Sequence, residues 1–206
     1  MLKISEDLAE FFGIMFGDGK IYCHPIHGYA IRIWCNYHNE KDYAEYISQI
    51  IERLFFIKPK KYESPKKGSI CIQFHSKNIA YGLLELGIPK NHKGKMPIPH
   101  WIMSNNSNCK AFLRGLFDTD GCVINQRFDG YTYKLIKITM KNKKFALDVK
   151  TIFEKVGLHP YMCSQVDHNE VVIRKKKDLE LWKTKIGSNS FKNLLKLEKR
   201  PLAAVH

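Results

Sequence analysis

The sequence predicts an α+β protein built from two tandem copies of one αββαββα unit. Residues 11–19 and residues 113–121 are similar at an offset of 102. The similarity continues to residues 86 and 186, where the offset has drifted by only two, and helical and strand periodicities follow in the same order in both copies. A correspondence of this length indicates a duplicated unit whose copies are fused head to tail.

Length, charge and cysteine content set the broad class. The 206 residues are enough to bury a core, and 34 Lys and Arg against 20 Asp and Glu give a net charge of +14. This excess favours a nucleic-acid partner, and the alternative is a basic protein kept soluble by its charge. We find no apolar run of membrane-spanning length, no signal or transit peptide and no CxxC pair, so we expect a cytoplasmic protein with reduced cysteines.

Each copy begins with an amphipathic helix. Ser5 is a candidate N-cap, and an apolar stripe of helical spacing follows it until Gly19, as a similar stripe does until Gly121 in the second copy. The same periodicities place the remaining elements. Strands are predicted over about 29–36, 58–64, 69–75, 133–141, 159–165 and 170–176, and helices over about 40–55, 77–86, 143–156 and 177–186.

Alternation along the strands predicts sheets with one buried and one open face. In residues 133–141, Ile136 and Ile138 are predicted to point inward, and Lys137, Thr139 and Lys141 outward. Residues 29–36 follow the same rule. Because the helices must cover the apolar face, antiparallel hairpins of this kind leave the opposite face open to solvent.

The domain boundary is marked by prolines and polar residues. Residues 88–108 contain three prolines and end in a Ser/Asn run, so we predict a linker there. The first repeat then covers residues 1–87 and the second covers residues 109–206. The second repeat is expected to end in a helical tail over about 191–199, which has no counterpart in the first.

Two acidic residues, Asp18 and Asp120, occupy equivalent places at the ends of the first helices. Each follows a strip of small residues four apart, along which two helix backbones can approach closely; the strips are Gly13 with Gly17 and Gly115 with Thr119. If the helices pair there, the two carboxylates meet at a pseudo-twofold axis and repel each other. A divalent cation relieves this repulsion, and all-oxygen ligands favour Mg²⁺. The alternative is an ordinary Asp-Gly turn after each helix.

The two motifs resemble those of a known family. FFGIMFGDG at residues 11–19 and LRGLFDTDG at residues 113–121 are similar to the paired LAGLIDADG motifs of single-chain homing endonucleases. The second is a close match, whereas the first departs at several positions but keeps the glycine strip and the Asp-Gly ending. The resemblance covers nearly the whole chain. Because no intein-splicing segments flank the motifs, we expect a free-standing, intron-encoded type.

This resemblance implies a monomeric saddle that needs no protein partner. Its sheets would arch over double-stranded DNA, and its motif helices would pair at the centre. Asp18 and Asp120 would bind Mg²⁺ with the backbone carbonyls of Gly17 and Thr119, and metal-bound water would hydrolyse one phosphodiester on each strand to leave 3′ overhangs. Mn²⁺ is expected to substitute for Mg²⁺, and Ca²⁺ to bind without supporting cleavage.

A basic residue is expected beside the scissile phosphate. Lys141 lies where the outward face of its strand ends, a place where family members often carry lysine. The matching residue of the first copy is His38 or its neighbour Tyr37, so the two half-sites need not be equivalent. The alternative for Lys141 is a solvated lysine at the end of a strand.

Outward strand positions are the candidates for reading DNA, although an open sheet face is polar in any case. Arginine suits guanine, Asn or Gln suits adenine, and lysine suits phosphates. The candidates are Lys20, Tyr22, Arg32, Trp34, Asn36, Lys58, Lys60, Gln73, His75, Asn125, Arg127, Lys137, Thr139, Gln165 and Arg174. The main alternative function is a non-cleaving DNA- or RNA-binding protein on the same scaffold, such as an intron maturase or a transcriptional regulator.

Overall fold

A computed structural model describes residues 2–24, 28–89, 97–128 and 131–198. The middle of the predicted linker and the end of the predicted tail lie outside the described residues. The first repeat consists of α1 (Glu6–Gly17), β1 (Gly19–His24), β2 (Gly28–Asn36), α2 (Lys41–Phe55), β3 (Lys60–Ser64), β4 (Ser69–His75) and α3 (Lys77–Glu85). The short helix α4 (His100–Met103) precedes the second repeat.

The second repeat has the same order of elements. It consists of α5 (Asn106–Asp120), β5 (Gly121–Phe128), β6 (Tyr131–Met140), α6 (Lys143–Lys155), β7 (Tyr161–Ser164), β8 (Asn169–Ile173), α7 (Lys176–Lys185) and the additional helix α8 (Phe191–Glu198). The sheets have the orders β1-β2-β4-β3 and β5-β6-β8-β7, and every pairing is antiparallel. The identical orders confirm the α+β class and the repeated αββαββα unit.

The helices cover one face of each sheet. Ile31, Ile33, Ile136 and Ile138 are fully buried on that face, as the strand alternation predicts. We call the opposite face of each sheet its outer face. Of the helices within the described residues, none has the length and apolar character needed to cross a bilayer.

The predicted linker contains more structure than the sequence indicated. Asn105 begins α5 as its N-cap, because its side-chain oxygen accepts hydrogen bonds from the backbone N–H groups of Ser107 and Asn108 at 2.8 and 3.1 Å. The Ser/Asn run is therefore the start of a helix as well as a connection. Ile102 of α4 is buried in the core, so this part of the segment packs between the repeats.

Helix α8 is fastened to the rest of the molecule by a buried carboxylate. Asp118 of α5 accepts hydrogen bonds from the Ser188 hydroxyl, from the backbone N–H groups of Asn189 and Ser190 at 2.6 and 3.2 Å, and from the Asn193 amide at 3.3 Å. Burial raises the pKa of Asp118 to about 6 in spite of these donors. At the other end of α8, the Lys134 ammonium donates to the carbonyls of residues 196 and 197 at 2.7 and 3.0 Å.

A second buried network joins the two repeats. The Glu10 side chain is 1% exposed and accepts two hydrogen bonds from Arg114 at 2.6 and 3.0 Å. Tyr46 and Asn189 also donate to Glu10, at 2.7 and 2.6 Å. The network therefore ties α1 and α2 of the first repeat to α5 and to the segment before α8.

Replacing Arg114 with methionine is expected to destabilise the protein by about 3–5 kcal/mol, because the Glu10 carboxylate would stay buried without a cation. The matched control is Arg53→Met, which breaks the exposed Arg53–Asp7 pair and is expected to cost about 1 kcal/mol or less. Urea denaturation of both variants measures the difference. Equal losses of stability in the two variants would show that burial of the Glu10 carboxylate does not require Arg114.

Candidate functional site

The first helices of the two repeats pack against each other through glycine. A Cβ at Gly13 would overlap the carbonyl oxygen of Phe112 and lie 2.7 Å from the backbone nitrogen of Leu116. A Cβ at Gly115 would overlap the carbonyl oxygen of Glu10 in the same way. Both positions therefore require glycine, and the close approach predicted from the small-residue strips is confirmed.

The packing brings the C-terminal ends of α1 and α5 together. A Cβ at Gly17 would overlap the side chain of Thr119, so these two residues lie side by side. Asp18 follows Gly17 as the C-cap of α1, and Asp120 follows Thr119 as the last residue of α5. The carbonyl of Asp18 also accepts a hydrogen bond from the backbone N–H of Trp34 at 3.2 Å, which attaches this helix end to β2.

A cavity of about 560 Å³ opens beside this junction. It is lined by Gly17 of α1, by Asp120, and by Thr139 and Lys141 at the end of β6. The structure thus brings Lys141 into one cavity with the acidic end of its own motif helix. Strand periodicity was sufficient to place this lysine. β5 begins directly after α5 and pairs with β6, so the end of β6 lies beside the end of α5.

The same cavity contains two residues that the sequence analysis missed. Asp167 and His168 belong to the turn between β7 and β8 and line the wall of the cavity. The Nδ1 atom of His168 is 2.6 Å from the Asp167 carboxylate. No motif or periodicity marks them, because they lie in a turn that only the folded hairpin carries to the motif helices.

His38 does not occupy the place expected for it as the counterpart of Lys141. It lines a separate cleft of about 530 Å³, between the turn after β2 and helix α8. Four residues connect β2 to α2 but only two connect β6 to α6, so the equivalence of the repeats shifts at this turn. The backbone N–H of His38 donates to Asn36 Oδ1 at 2.9 Å, which holds the longer turn in shape.

In the first repeat, the outward candidates lie on the outer face. Lys20 pairs with Arg32 across β1 and β2, and Arg32 pairs with Gln73 across β2 and β4, so these residues share one face. Lys20 and Arg32 also lie over the ring of Tyr22 at 4.8 and 4.7 Å. Trp34, Asn36, Lys60 and His75 are on the same face by register, and Lys58 is exposed just before β3.

In the second repeat, three of the candidates lie on the outer face as predicted. They are Lys137, Thr139 and Arg174; Lys137 forms an ion pair with Glu170, and Arg174 lies 5.3 Å from the Tyr161 ring.

The prediction that Asn125 and Arg127 lie on the outer face is wrong. Their cross-strand partners are Lys134 and Thr132, which share the face of buried Ile136. The alternation along β5 is fixed by the turn out of α5, and it puts the odd-numbered residues with the core. Gln165 lies beyond the end of β7, where its backbone N–H bonds the carbonyl of His168 at 2.8 Å.

The donor set at the helix ends suits a hard divalent cation. Across the described ranges, no three or more His, Cys, Asp or Glu residues cluster as a metal cage. Asp18 and Asp120 at the helix ends offer oxygen donors, and oxygen donors suit hard divalent cations such as Mg²⁺.

Comparisons with known proteins match the second repeat to a family model and most of the chain to solved structures. Residues 107–197 match the family model described as LAGLIDADG-like domain. An uncharacterised protein of Methanocaldococcus jannaschii is 24% identical over 162 residues, which are 76% of this chain and 57% of that protein. The chain thus spans little more than half the length of this relative.

Solved structures share the complete fold. The homing endonuclease I-DmoI in complex with DNA and Mn superposes with a TM-score of 0.62 at 15% identity, covering 90% of this chain and 98% of that chain. The N-terminal LAGLIDADG domain of DUF199/WhiA superposes with a TM-score of 0.56 at 12% identity, covering 95% of this chain and 82% of that chain. Residues 107–197 therefore match the LAGLIDADG-like domain family, and the whole chain has the two-repeat fold of these solved structures.

Proposed function

We propose that this protein is a site-specific DNA endonuclease that hydrolyses both strands of a double-stranded target. The observation that carries the proposal is the single cavity that holds Asp120 and Lys141 beside the joined ends of α1 and α5. The fold shared with I-DmoI, which has been crystallised with DNA and with Mn, Mg or Ca, supports DNA as the partner and a divalent cation as the cofactor.

Each part of the chain has a role in this mechanism. Asp18 and Asp120 hold the cation with the carbonyls of Gly17 and Thr119, and the outer faces of the two sheets hold the DNA backbone and bases. Lys141 donates to an oxygen of the scissile phosphate and stabilises the charge that develops there. When bound, the cation neutralises the phosphate and activates water for hydrolysis. We also propose that each half-site cuts one strand and that the cuts are staggered to leave 3′ overhangs.

Finer features belong to the same proposal. The chain carries both repeats, so we propose that it acts as a monomer without a protein partner. We also propose Mg²⁺ as the working cation, an intron-encoded origin and a cytoplasmic location.

A two-stage experiment tests the endonuclease. The protein is first used in Ca²⁺ to select its binding site from a randomised duplex library, and the selected duplex is then cloned into a supercoiled plasmid. Addition of Mg²⁺ is expected to convert the plasmid to nicked and linear forms, and EDTA to prevent this. Cutting that persists in EDTA would overturn the metal mechanism.

The second candidate is a non-cleaving DNA- or RNA-binding protein such as a maturase or a regulator. The likeness to the LAGLIDADG domain of WhiA favours it, as does the displacement of His38 from the first half-site. In the same experiment, this candidate predicts a selected binding site and an intact plasmid in Mg²⁺.

Binding of the selected duplex is expected to weaken by at least roughly tenfold between low and physiological salt, because the basic sheet faces displace cations from several phosphates. Lys20→Ala, on the outer face, should lower the slope of this dependence by about one. Lys144→Ala is the matched control, since Lys144 is exposed on α6, on the helical side. Salt titrations measure both slopes, and a flat response of the unmodified protein would show that its charge does not face DNA.

A further inference from the structure

We infer that His168 contacts the phosphate of the DNA strand that is cut at the second half-site, and that Asp167 positions it. This inference rests on the proposed endonuclease function and deepens it. His168 lines the cavity that contains Asp120 and Lys141, although it comes from the β7–β8 turn, far from both in sequence. Met140 pairs with Asn169, so Lys141 and His168 lie at neighbouring strand ends, and the cavity would present their two nitrogen donors to one phosphate.

The imidazole ring is held by one strong and one weak contact. Its Nδ1 atom lies 2.6 Å from Asp167 Oδ1, and its Nε2 atom lies 3.5 Å from Glu170 Oε1. The first distance fits a charge-assisted hydrogen bond, whereas the second is at the outer limit. In the imidazolium form both ring nitrogens carry hydrogen, so Nδ1 can donate to Asp167 and keep the ring in place while Nε2 exchanges Glu170 for a phosphate oxygen.

The chemistry around the ring favours this exchange. The hydrogen bond from His168 lowers the pKa of Asp167, so the residue that orients the ring remains a carboxylate. Glu170 is already engaged by the Lys137 ammonium on the outer face. Giving up the long contact with His168 would therefore leave Glu170 with a charged partner.

The equivalent position in the β3–β4 turn of the first repeat, which the structure describes, is not a histidine. Gly68 immediately precedes β4 as His168 immediately precedes β8, and Lys67 stands at the place of Asp167. The ring that lies beside Gly68 is His38, which lines the cleft toward α8. Loss of His168 should consequently affect the strand cut at the second half-site and spare the other strand.

Strand-resolved cleavage tests the inference. The selected duplex is labelled at one end of each strand in turn, and single-turnover rates are measured in Mg²⁺ for His168→Ala. We expect one strand to be cut roughly 10- to 100-fold more slowly, the range for loss of a hydrogen bond to a charged group, and the other strand to change by less than about threefold. His168→Gln, which retains an N–H donor, should recover part of the rate, and Asp167→Asn should slow the same strand by a smaller factor.

His159→Gln is the matched control. His159 also pairs with an aspartate of the second repeat, with its Nδ1 atom 2.9 Å from Asp178, but it does not line the cavity. Both strands should be cut at normal rates by this variant. Equal slowing of both strands by His168→Ala, or the same effect in His159→Gln, would overturn the inference in favour of a structural role.

A binding measurement separates this inference from the endonuclease proposal. Duplexes with a neutral methylphosphonate at the central phosphates of either strand are compared with the native duplex in Ca²⁺. Neutralising one strand should weaken binding of the unmodified protein, and this penalty should shrink in His168→Ala. One outcome is that the unmodified protein cuts neither strand while the binding penalty still shrinks in His168→Ala. In that case the endonuclease proposal fails and the phosphate contact stands. If the penalty is the same in both proteins, the phosphate contact fails whatever the cleavage result.

Discussion

Asp18→Asn and Asp120→Asn are each expected to lower the rate of double-strand cleavage by roughly 10³-fold or more, while specific binding in Ca²⁺ stays measurable. Each substitution removes one anionic oxygen donor from the junction of α1 and α5. Losing this oxygen donor should impair the hydrolysis step, for which the cation is needed, so the effect should appear in the cleavage rate. Plasmid linearisation measures the rate, and a filter-binding assay measures affinity.

Asp7→Asn is the matched control for these acids. Asp7 lies at the opposite end of α1 in an exposed pair with Arg53. Its loss should leave cleavage unchanged within about twofold and cost about 1 kcal/mol or less of stability. Full cleavage by either Asp18→Asn or Asp120→Asn would remove these residues from the metal site.

Gly13→Ala is expected to destabilise the fold strongly. The new Cβ would overlap the backbone of α5, which cannot rotate aside as a side chain can. The helices would have to separate, at a cost of about 3 kcal/mol or more from lost packing between the repeats. Because α1 also carries Asp18, a shift of about 1 Å would lower cleavage by roughly 10²-fold in the protein that still folds.

Gly82→Ala provides the control in another helix. A Cβ at Gly82 in α3 would meet only the flexible tip of Leu2, at 3.2 Å. This variant should be as stable as the unmodified protein or slightly more stable, because alanine favours helix. Urea denaturation ranks the two variants, and equal stabilities would show that the α1–α5 contact tolerates a wider spacing.

Much of the fold could be predicted because local chemistry and the duplication agree. Ser5 caps α1 through a hydrogen bond from the backbone N–H of Leu8 at 3.2 Å, as its position before an apolar stripe indicates. The alternation in β2 and β6 gave the correct buried faces, since a strand has only two sides. The same reasoning failed for Asn125 and Arg127, where polar residues continue past the end of the buried segment and periodicity no longer distinguishes the faces.

The candidate site divides in the same way. Asp18, Asp120 and the glycine strips were found from sequence because the repeat shows each of them twice. His38 was misplaced because the two copies were matched by a nearly constant offset, which does not reveal two extra residues in one turn. Asp167 and His168 were missed because turn residues follow no period.

The sequence by itself determined the two repeats, the order of their elements, the outer face of the first sheet and the pair of acids at the helix ends. These properties depend on neighbours along the chain, or on comparing one copy with the other. The tertiary structure alone decided which side chains share the cavity, and it showed that α8 is fastened to α5 through Asp118 and to α1 through Asn189 and Glu10. Those contacts join residues far apart in sequence, and their geometry is set by how closely α1 and α5 pack at Gly13 and Gly115.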